Sequence, residues 1–354
     1  MTLSIAPARS AGIASRNSYL AILEAAWTAH LAPRTENAPT VISTFAGAGG
    51  SSLGYSMAGY RELLAVEWDD NAVETFKLNF PGIPVYHGDI ANLSVEQCLE
   101  MAGIEPGALD VLDGSPPCQG FSTAGKRVLD DPRNQLFREF VRLLRGLQPR
   151  AFVMENVSGM VKGKMKLVFA DILRELKASG YRVKAAKLNA MYFNVPQSRE
   201  RMIFVGVRDD LRREPSFPKA QSRPFAPSFE NVQADYLPAL PVTGKTAEIM
   251  RRLEPGQNAS DLPELRGSWF GNFRVSLNTP CPTITKEAGL FKRYPKVFHP
   301  VEDRGISIGE LKRIASYPDQ YLFAGKWVDA WAGIGNSVPP LFMRAIAEHV
   351  KTLI

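Results

Sequence analysis

Short apolar runs alternate with longer amphipathic stretches from Thr40 to about Val207. Thr40–Phe45, Arg61–Val66, Val85–Tyr86, Ala108–Leu112 and Arg150–Met154 are continuous or nearly continuous apolar runs of strand length, bounded by Gly, Pro or polar residues. They predict buried strands. Apolar residues at helical spacing over 71–80, 134–146 and 166–179 predict the intervening helices. Tyr181–Leu188 and Arg201–Val207 form a terminal pair of strands. Strands alternating with helices predict an α/β fold with a doubly wound, mostly parallel sheet.

Either side of this unit the pattern changes. Leu20, Ile22, Leu23, Ala26 and Trp27 sit at helical spacing and predict a helix over about 18–30, packed on the main domain. From Asp209 to Asn272 prolines multiply and strand periodicity fades, which predicts a smaller, irregular domain with one helix near 246–253. Gly333–Pro340 opens a last helix that runs to Leu353. The expected division is an N-terminal extension (1–38), a main α/β domain (39–208), a small domain (209–300) and a C-terminal segment (301–354) that returns to the main domain.

Composition narrows the function classes. The chain has 354 residues, a net charge of +6 and a pI near 9.1, a balance that favours a polyanionic partner. Cys98, Cys118 and Cys281 are too scattered for a disulfide framework or a zinc cluster, and with four histidines no metal site is expected. No apolar stretch approaches membrane-spanning length and the N-terminus lacks the apolar core of a signal peptide, so a cytoplasmic protein without membrane contact is expected.

The polar residues of interest fall at the ends of the expected strands. After the first comes Phe45-Ala46-Gly47-Ala48-Gly49-Gly50, whose glycines allow a tight turn and close approach of a ligand. A Gly turn between strand and helix forms a nucleotide-type pocket. Glu67-Trp68-Asp69 ends the second strand, where such folds place an acceptor for ribose hydroxyls. Trp68 could lie on an adenine face; the alternatives are packing for Trp68 and a helix cap for Asp69. Asp89 and Ile90 follow the third strand.

Gly114-Ser115-Pro116-Pro117-Cys118-Gln119-Gly120 follows the fourth strand. The prolines fix their own φ and aim the Cys118 thiol, although a lone cysteine can equally be a small buried hydrophobe. Lys126, Arg127 and Arg133 beside Gly120 and Gly125 suit a segment that closes over a phosphate backbone, or a solvated loop. Glu155 ends the fifth strand, where desolvation would raise its pKa and suit a proton donor, though structural carboxylates also occur there. Arg199 and Arg201 share a side of an extended segment and suit a phosphate or a carbonyl edge. Lys292, Arg293 and Lys296 are interleaved with Phe291, Tyr294 and Phe298, which fits a nucleic-acid surface or a solvated basic face.

In this order the pieces resemble the 5-cytosine DNA methyltransferases that use S-adenosylmethionine. Phe45–Gly50 is similar to the family's first motif, Pro116-Pro117-Cys118-Gln119 to its nucleophile motif and Glu155-Asn156-Val157 to its glutamate motif. Gln197–Arg201 and Gly335-Asn336-Ser337-Val338 resemble its last blocks, while Ser43-Thr44 stands where the family usually has Asp-Leu. The resemblance implies a Rossmann-like methyltransferase domain over 39–208 and target recognition in 209–300. It further implies a catalytic set of Cys118, Glu155, Arg199 and Arg201, with Cys118 adding to C6 of a flipped-out cytosine. The cofactor set it implies is Phe45, Ala46, Gly47, Gly49, Gly50, Glu67, Trp68, Asp89, Ile90, Pro116, Asn336 and Val338. The expected partner is double-stranded DNA, with a restriction endonuclease acting separately and the methyltransferase a monomer. Three other readings compete. A tRNA cytosine-5 methyltransferase would carry a Cys-Phe-Thr signature that the chain lacks. A nicotinamide-dependent oxidoreductase leaves the Pro-Pro-Cys turn unexplained, and a silent regulatory binder leaves Cys118, Glu155 and both arginines unexplained.

Overall fold

The computed structural model describes residues 10–117, 135–161, 165–227, 229–234, 242–266, 269, 271–286 and 296–354. A long helix, α1 (Ser10–Leu31), precedes the alternating unit. That unit runs β1 (Thr40–Thr44), α2 (Gly50–Met57), β2 (Arg61–Glu67), α3 (Asp70–Asn79), β3 (Val85–His87), α4 (Val95–Ala102), β4 (Val111–Gly114), α5 (Gln135–Leu147), β5 (Ala151–Val157), α6 (Met165–Lys177), β6 (Tyr181–Asn189), β7 (Gln197–Ser198) and β8 (Glu200–Arg208). Seven strands form one sheet in the order β3-β2-β1-β4-β5-β8-β6. β8 runs antiparallel to both its neighbours and the other pairings are parallel. The doubly wound, mostly parallel sheet expected from the sequence is present. Winding reverses between β1 and β4, which leaves a crevice at the carboxyl ends of those strands.

Local chemistry explains the elements. Ala151, Phe152, Val153 and Met154 of β5 are fully buried because helices cover both faces of the sheet. Asp69 caps α3 by accepting from the Ala72 N–H, and α4 starts at the Ser94 cap and stops at Gly103 in the left-handed conformation. Phe140, Leu143, Leu144 and Leu147 of α5 are buried at helical spacing.

β4 departs from the expectation. The sequence placed a strand at Ala108–Leu112, but the ladder to β1 runs Val111 to Gly114, opposite Val41 to Thr44. Ala108 instead closes a turn on the Glu105 carbonyl. Asp113 is tolerated inside the sheet because the Ser51 hydroxyl donates to it at 2.6 Å, joined by Tyr55 at 3.3 Å. Gly114 is required because Thr44 Oγ1 and the Phe140 ring occupy the space a Cβ would need.

The rest of the chain comprises α7 (Gly244–Arg252), β9 (Phe273–Arg274), β10 (Cys281–Pro282), β11 (Val297–Phe298), α8 (Ile308–Ile314), α9 (Trp327–Asn336) and α10 (Pro340–Val350). Phe217, Phe225, Phe229 and Val232 lie on the main core, whereas Val242, Ala247, Ile249, Met250, Leu253, Ala259, Leu262, Leu265 and Phe298 form a small core of their own. The last helix does not open at Gly333. Gly333–Asn336 ends α9, Pro339 and Pro340 cannot continue it, and α10 starts with Pro340 at its first position. Against α2, a Cβ on Gly54 would meet Met343 Cβ at 2.6 Å and the Pro340 carbonyl at 2.7 Å, so glycine lets the two helices close. One core cluster joins α1, α2, α10 and one face of the sheet; another lies under α4, α5 and α6 on the opposite face. Among the described residues no helix is long and apolar enough to cross a membrane, and no group of three His, Cys, Asp or Glu could hold a metal.

Candidate active site

The turn after β1 is sewn to the end of β2. Phe45, Gly47 and Gly49 adopt φ of 54°, 55° and 79°, a left-handed run that glycine makes cheap and that Phe45 adopts against its preference. The Ala46 N–H donates to the Val66 carbonyl. The Gly47 N–H donates to Glu67 Oε2 at 2.7 Å, while Glu67 Oε1 accepts from the Trp68 and Asp69 N–H groups at 2.9 and 3.0 Å. Glu67 is thereby fixed at the lip of the crevice, and a Cβ on Gly47 would meet nothing within 4 Å. Trp68 presents its indole to solvent at 77% exposure, and Asp69 has the capping role that was its alternative reading.

The remaining expected cofactor residues are found in different states. Asp89 is exposed and accepts from the Ala91 N–H, while Ile90 is buried in the core under the sheet. Asn336 is exposed at the end of α9. Val338 is buried, and its carbonyl sits 2.5 Å from where a Cβ of Gly50 would be. The Tyr317 hydroxyl is equally close to that point, so the C-terminal segment closes directly over the start of α2. Ser43 and Thr44 serve the same wall: Ser43 Oγ accepts from Ser52, and Thr44 Oγ1 donates to the Asp113 carbonyl.

Across the crevice lie the ends of β4 and β5. Glu155 is buried, and Arg201 Nε approaches its Oε1 to 2.6 Å. Burial was legible in the sequence; the guanidinium partner was not. Asn156 Nδ2 donates to the Pro116 carbonyl at 3.0 Å and ties the turn after β4 to β5. Arg199 is 3% exposed and donates to the Ile284 and Gly335 carbonyls, both at 3.0 Å, which makes it a clamp between the β10 segment and α9. Burial pulls its pKa down to about 9. Gly335 packs so closely on Thr285 that a Cβ would meet its carbonyl oxygen at 2.8 Å, and Trp331 Nε1 donates to the same carbonyl.

Cys118 lies outside the described residues, as do Lys126, Arg127, Arg133, Phe291, Lys292, Arg293 and Tyr294. The other two thiols are unsuited to nucleophilic work. Both are buried and free; burial raises the Cys98 pKa to about 11 and pushes Cys281 up further. Sequence reasoning gave no role to Asn156, Asp113, Tyr317 or Tyr321. A polar residue next to a strand-end glutamate was a usable signal for Asn156. For the tyrosines, hundreds of residues away in sequence, there was none.

An α/β enzyme with a doubly wound sheet, whose polar side chains converge where the winding reverses, is the class this geometry defines. Within that class the model of the C-5 cytosine-specific DNA methylase family matches residues 39–352, and the chain belongs to this family. It is 35% identical over 328 residues to the type II methyltransferase M1.HphI of Haemophilus parahaemolyticus, an alignment covering 88% of this chain and 86% of that one. It is also 35% identical over 330 residues to M.Sau96I of Staphylococcus aureus, covering 88% and 75%. A DNA modification methyltransferase encoded in an Escherichia coli prophage shares the fold, with a TM-score of 0.72, 24% identity and coverage of 89% and 99%. The chain is thus a DNA cytosine-5 methyltransferase, and the nicotinamide reading falls away. Helix α1 lies ahead of the matched residues.

Proposed function

We propose that this enzyme methylates C5 of a flipped-out cytosine within a short duplex sequence, through a covalent bond between Cys118 and C6. The observation that carries the reading is the convergence on one crevice of the open Gly47 turn with Glu67, the Glu155–Arg201 pair and the Asn156-held Pro116 turn. The residues fit a sulfonium nucleoside. Gly47 leaves its concave side bare, Glu67 stands where ribose hydroxyls would donate, and Trp68 offers an uncommitted aromatic face. Phe45, Ala46, Gly49, Gly50 and Pro116 would complete the cradle, with Asp89 and Ile90 beside adenine and Asn336 and Val338 closing it. When bound, S-adenosylmethionine supplies an electrophilic methyl group.

The chain's own residues make the base able to take that methyl. The Cys118 thiolate adds to C6, and the ring electrons move to C5 as an enamine. Glu155 shares a proton with N3 and accepts from the exocyclic amine, which neutralises the negative charge that the thiolate brings to the ring. Arg201 orients Glu155 through its 2.6 Å contact. Arg199 keeps the β10 segment and α9 together behind them. Once C5 carries the methyl group, a base removes the C5 proton, the C5–C6 double bond re-forms and Cys118 leaves C6. Residues 209–300, which hold the small separate core, read the target sequence. The type II names of the relatives support a role in protecting DNA against a partner restriction endonuclease.

Incubation with duplex DNA and S-adenosylmethionine, followed by mass spectrometry of the nucleosides, is expected to yield 5-methylcytosine. Methyl on cytosine N4 or on adenine would overturn the assignment. Cys118→Ala is expected to abolish turnover while retaining DNA binding. DNA carrying 5-fluorocytosine at the target has no C5 proton to lose, so it should trap wild type as a covalent complex and leave Cys118→Ala uncoupled.

A further inference from the structure

Helix α1 precedes the family-matched residues, yet its last two turns reach the wall behind the glycine turn. Two paths lead there. Trp27 stands edge-on to Tyr321, with ring centroids 6.4 Å apart, and the Tyr321 hydroxyl donates to the Ala48 carbonyl at 2.6 Å. His30 stands edge-on to Phe80 at 5.1 Å, and Phe80 stacks on Phe76 at 4.5 Å. Both paths end on Gly49: a Cβ there would lie 2.5 Å from Tyr321 Oη, 3.0 Å from Phe80 and 3.3 Å from Phe76.

His30 is held firmly enough to transmit position. Its Nε2 lies 3.2 Å from the Asn79 carbonyl and its Nδ1 2.8 Å from Ser56 Oγ. A carbonyl only accepts, so Nε2 carries the proton and neutral Nδ1 accepts from the serine; burial, which lowers the His30 pKa, favours this neutral form. Asn79 in turn exchanges two 2.8 Å hydrogen bonds with the Leu322 backbone, next to Tyr321. Trp27 and His30 also pack on each other at 4.8 Å, which joins the two paths at their origin.

We propose that helix α1 is a positioning element for the methyl-donor turn, with Trp27 and His30 pressing Tyr321 and Phe80 against Ala48 and Gly49. The physical need follows from the turn itself. Gly47 and Gly49 have no side chains to anchor them, so an unsupported turn would lose backbone freedom on binding and weaken affinity. Backing supplied from outside removes that cost before the donor arrives. The inference rests on the donor occupying this turn, and the test separates the two.

Calorimetric titration of the full-length enzyme with S-adenosylmethionine is the measurement. Trp27→Ala/His30→Ala is expected to weaken donor binding about tenfold, the combined scale of two aromatic contacts. At saturating donor, kcat should stay within about twofold of wild type and the KM for DNA should not move, a split that general loosening of the fold would not give. His30→Gln, which can still donate to Asn79 and accept from Ser56 but lacks the ring that meets Phe80, should recover only part of the loss shown by His30→Ala. A folded double variant with wild-type donor affinity overturns the proposal. If the double variant does not fold, Tyr321→Phe decides, since it removes only the bond to Ala48 and must weaken donor binding. Glu67→Gln is the control: if it leaves donor binding unchanged, the donor's placement fails, and if it weakens binding while the α1 and Tyr321 variants do not, only the role of α1 fails.

Discussion

The two sides of the crevice are built from different materials. On the β1–β2 side position is set by backbone shape and close packing. Gly49 and Gly50 are boxed in by Tyr321, Phe80, Tyr317 and Val338, and Gly54 lets α10 close on α2. On the β4–β5 side position is set by single directional bonds: Arg201 to Glu155, Asn156 to the Pro116 carbonyl, Arg199 to two carbonyls. Packing is shared among many atoms, whereas a bond is lost with one of its partners. With the donor placed as proposed, substitutions on the first side should act through shape, and hence through donor affinity and stability. On the proposed mechanism, those on the second should act on charge at the reacting base, and hence on rate.

The largest expected effect tests the second side. On the proposed mechanism, Glu155→Gln keeps an oxygen for Arg201 but gives up the carboxyl group that shares a proton with N3 of the base. Single-turnover methylation should slow by roughly 10²–10³-fold, the usual size for loss of one transition-state partner. Donor affinity should remain that of wild type. A fall in donor affinity matching the fall in rate would erase the distinction between the two sides.

A smaller effect tests the first side by pairing two glycines of one turn. A Cβ on Gly50 would sit 2.5 Å from Tyr317 Oη and 2.5 Å from the Val338 carbonyl, and backbone cannot move aside cheaply. Gly50→Ala should lose about 1–3 kcal/mol in denaturant unfolding, the range for forced overpacking. Gly47 has open space and a φ of 55°, so Gly47→Ala should lose only the left-handed strain of about 1–2 kcal/mol. If Gly47→Ala proved clearly the more costly, packing would not be what holds this side.

The contrast also explains what could be read from the chain. Strands and helices of the alternating unit follow local periodicity, so β1, β2, β5 and α3 lie close to their expected positions. The positions of the glycine turn, Glu67 and Glu155 at strand ends were legible because strand ends in such sheets meet at one crevice. What escaped depends on contacts distant in sequence. Tyr321 reaches Ala48 across 273 positions and Arg199 reaches Gly335 across 136, and neither pairing leaves a periodic trace. Arg199 shows the limit well: two arginines spaced to share a side looked equivalent, yet one faces Glu155 and the other is spent on carbonyls. β4 was misplaced because a buried Asp113 and a Gly114 looked like a strand's end, when hydroxyl donors from α2 let the ladder continue through them.

The smallest expected effect on the rate concerns the polar layer beneath α2. Burial raises the Glu62 pKa to about 8, since neither oxygen makes a hydrogen bond of ordinary geometry, although the Ser43 and Ser52 hydroxyls beside it offset part of the shift. Burial likewise raises Asp113 to about 7, opposed by its bonds from Ser51 and Tyr55. Both carboxyls are therefore protonated in the fold at a pH where the unfolded chain, with ordinary carboxyl values near ~4, has released its protons. The folded state binds more protons across this window, so stability should fall as pH rises from about 4 to about 8, by up to ~1.4 kcal/mol per pH unit for each proton. Glu62→Gln should remove one proton's share of that slope and leave the share of Asp113, as read by unfolding midpoints at pH 5, 6, 7 and 8. Glu62 stands on β2, on the packed side, whereas Asp113 on β4 lies close enough to Glu155 to feel its charge, so Glu62→Gln should change stability and donor affinity while the single-turnover rate at saturating donor keeps its wild-type pH profile. A wild-type slope left intact by Glu62→Gln would take the buried carboxyl out of the account, and a shifted rate profile would show that the two sides share a titrating group after all.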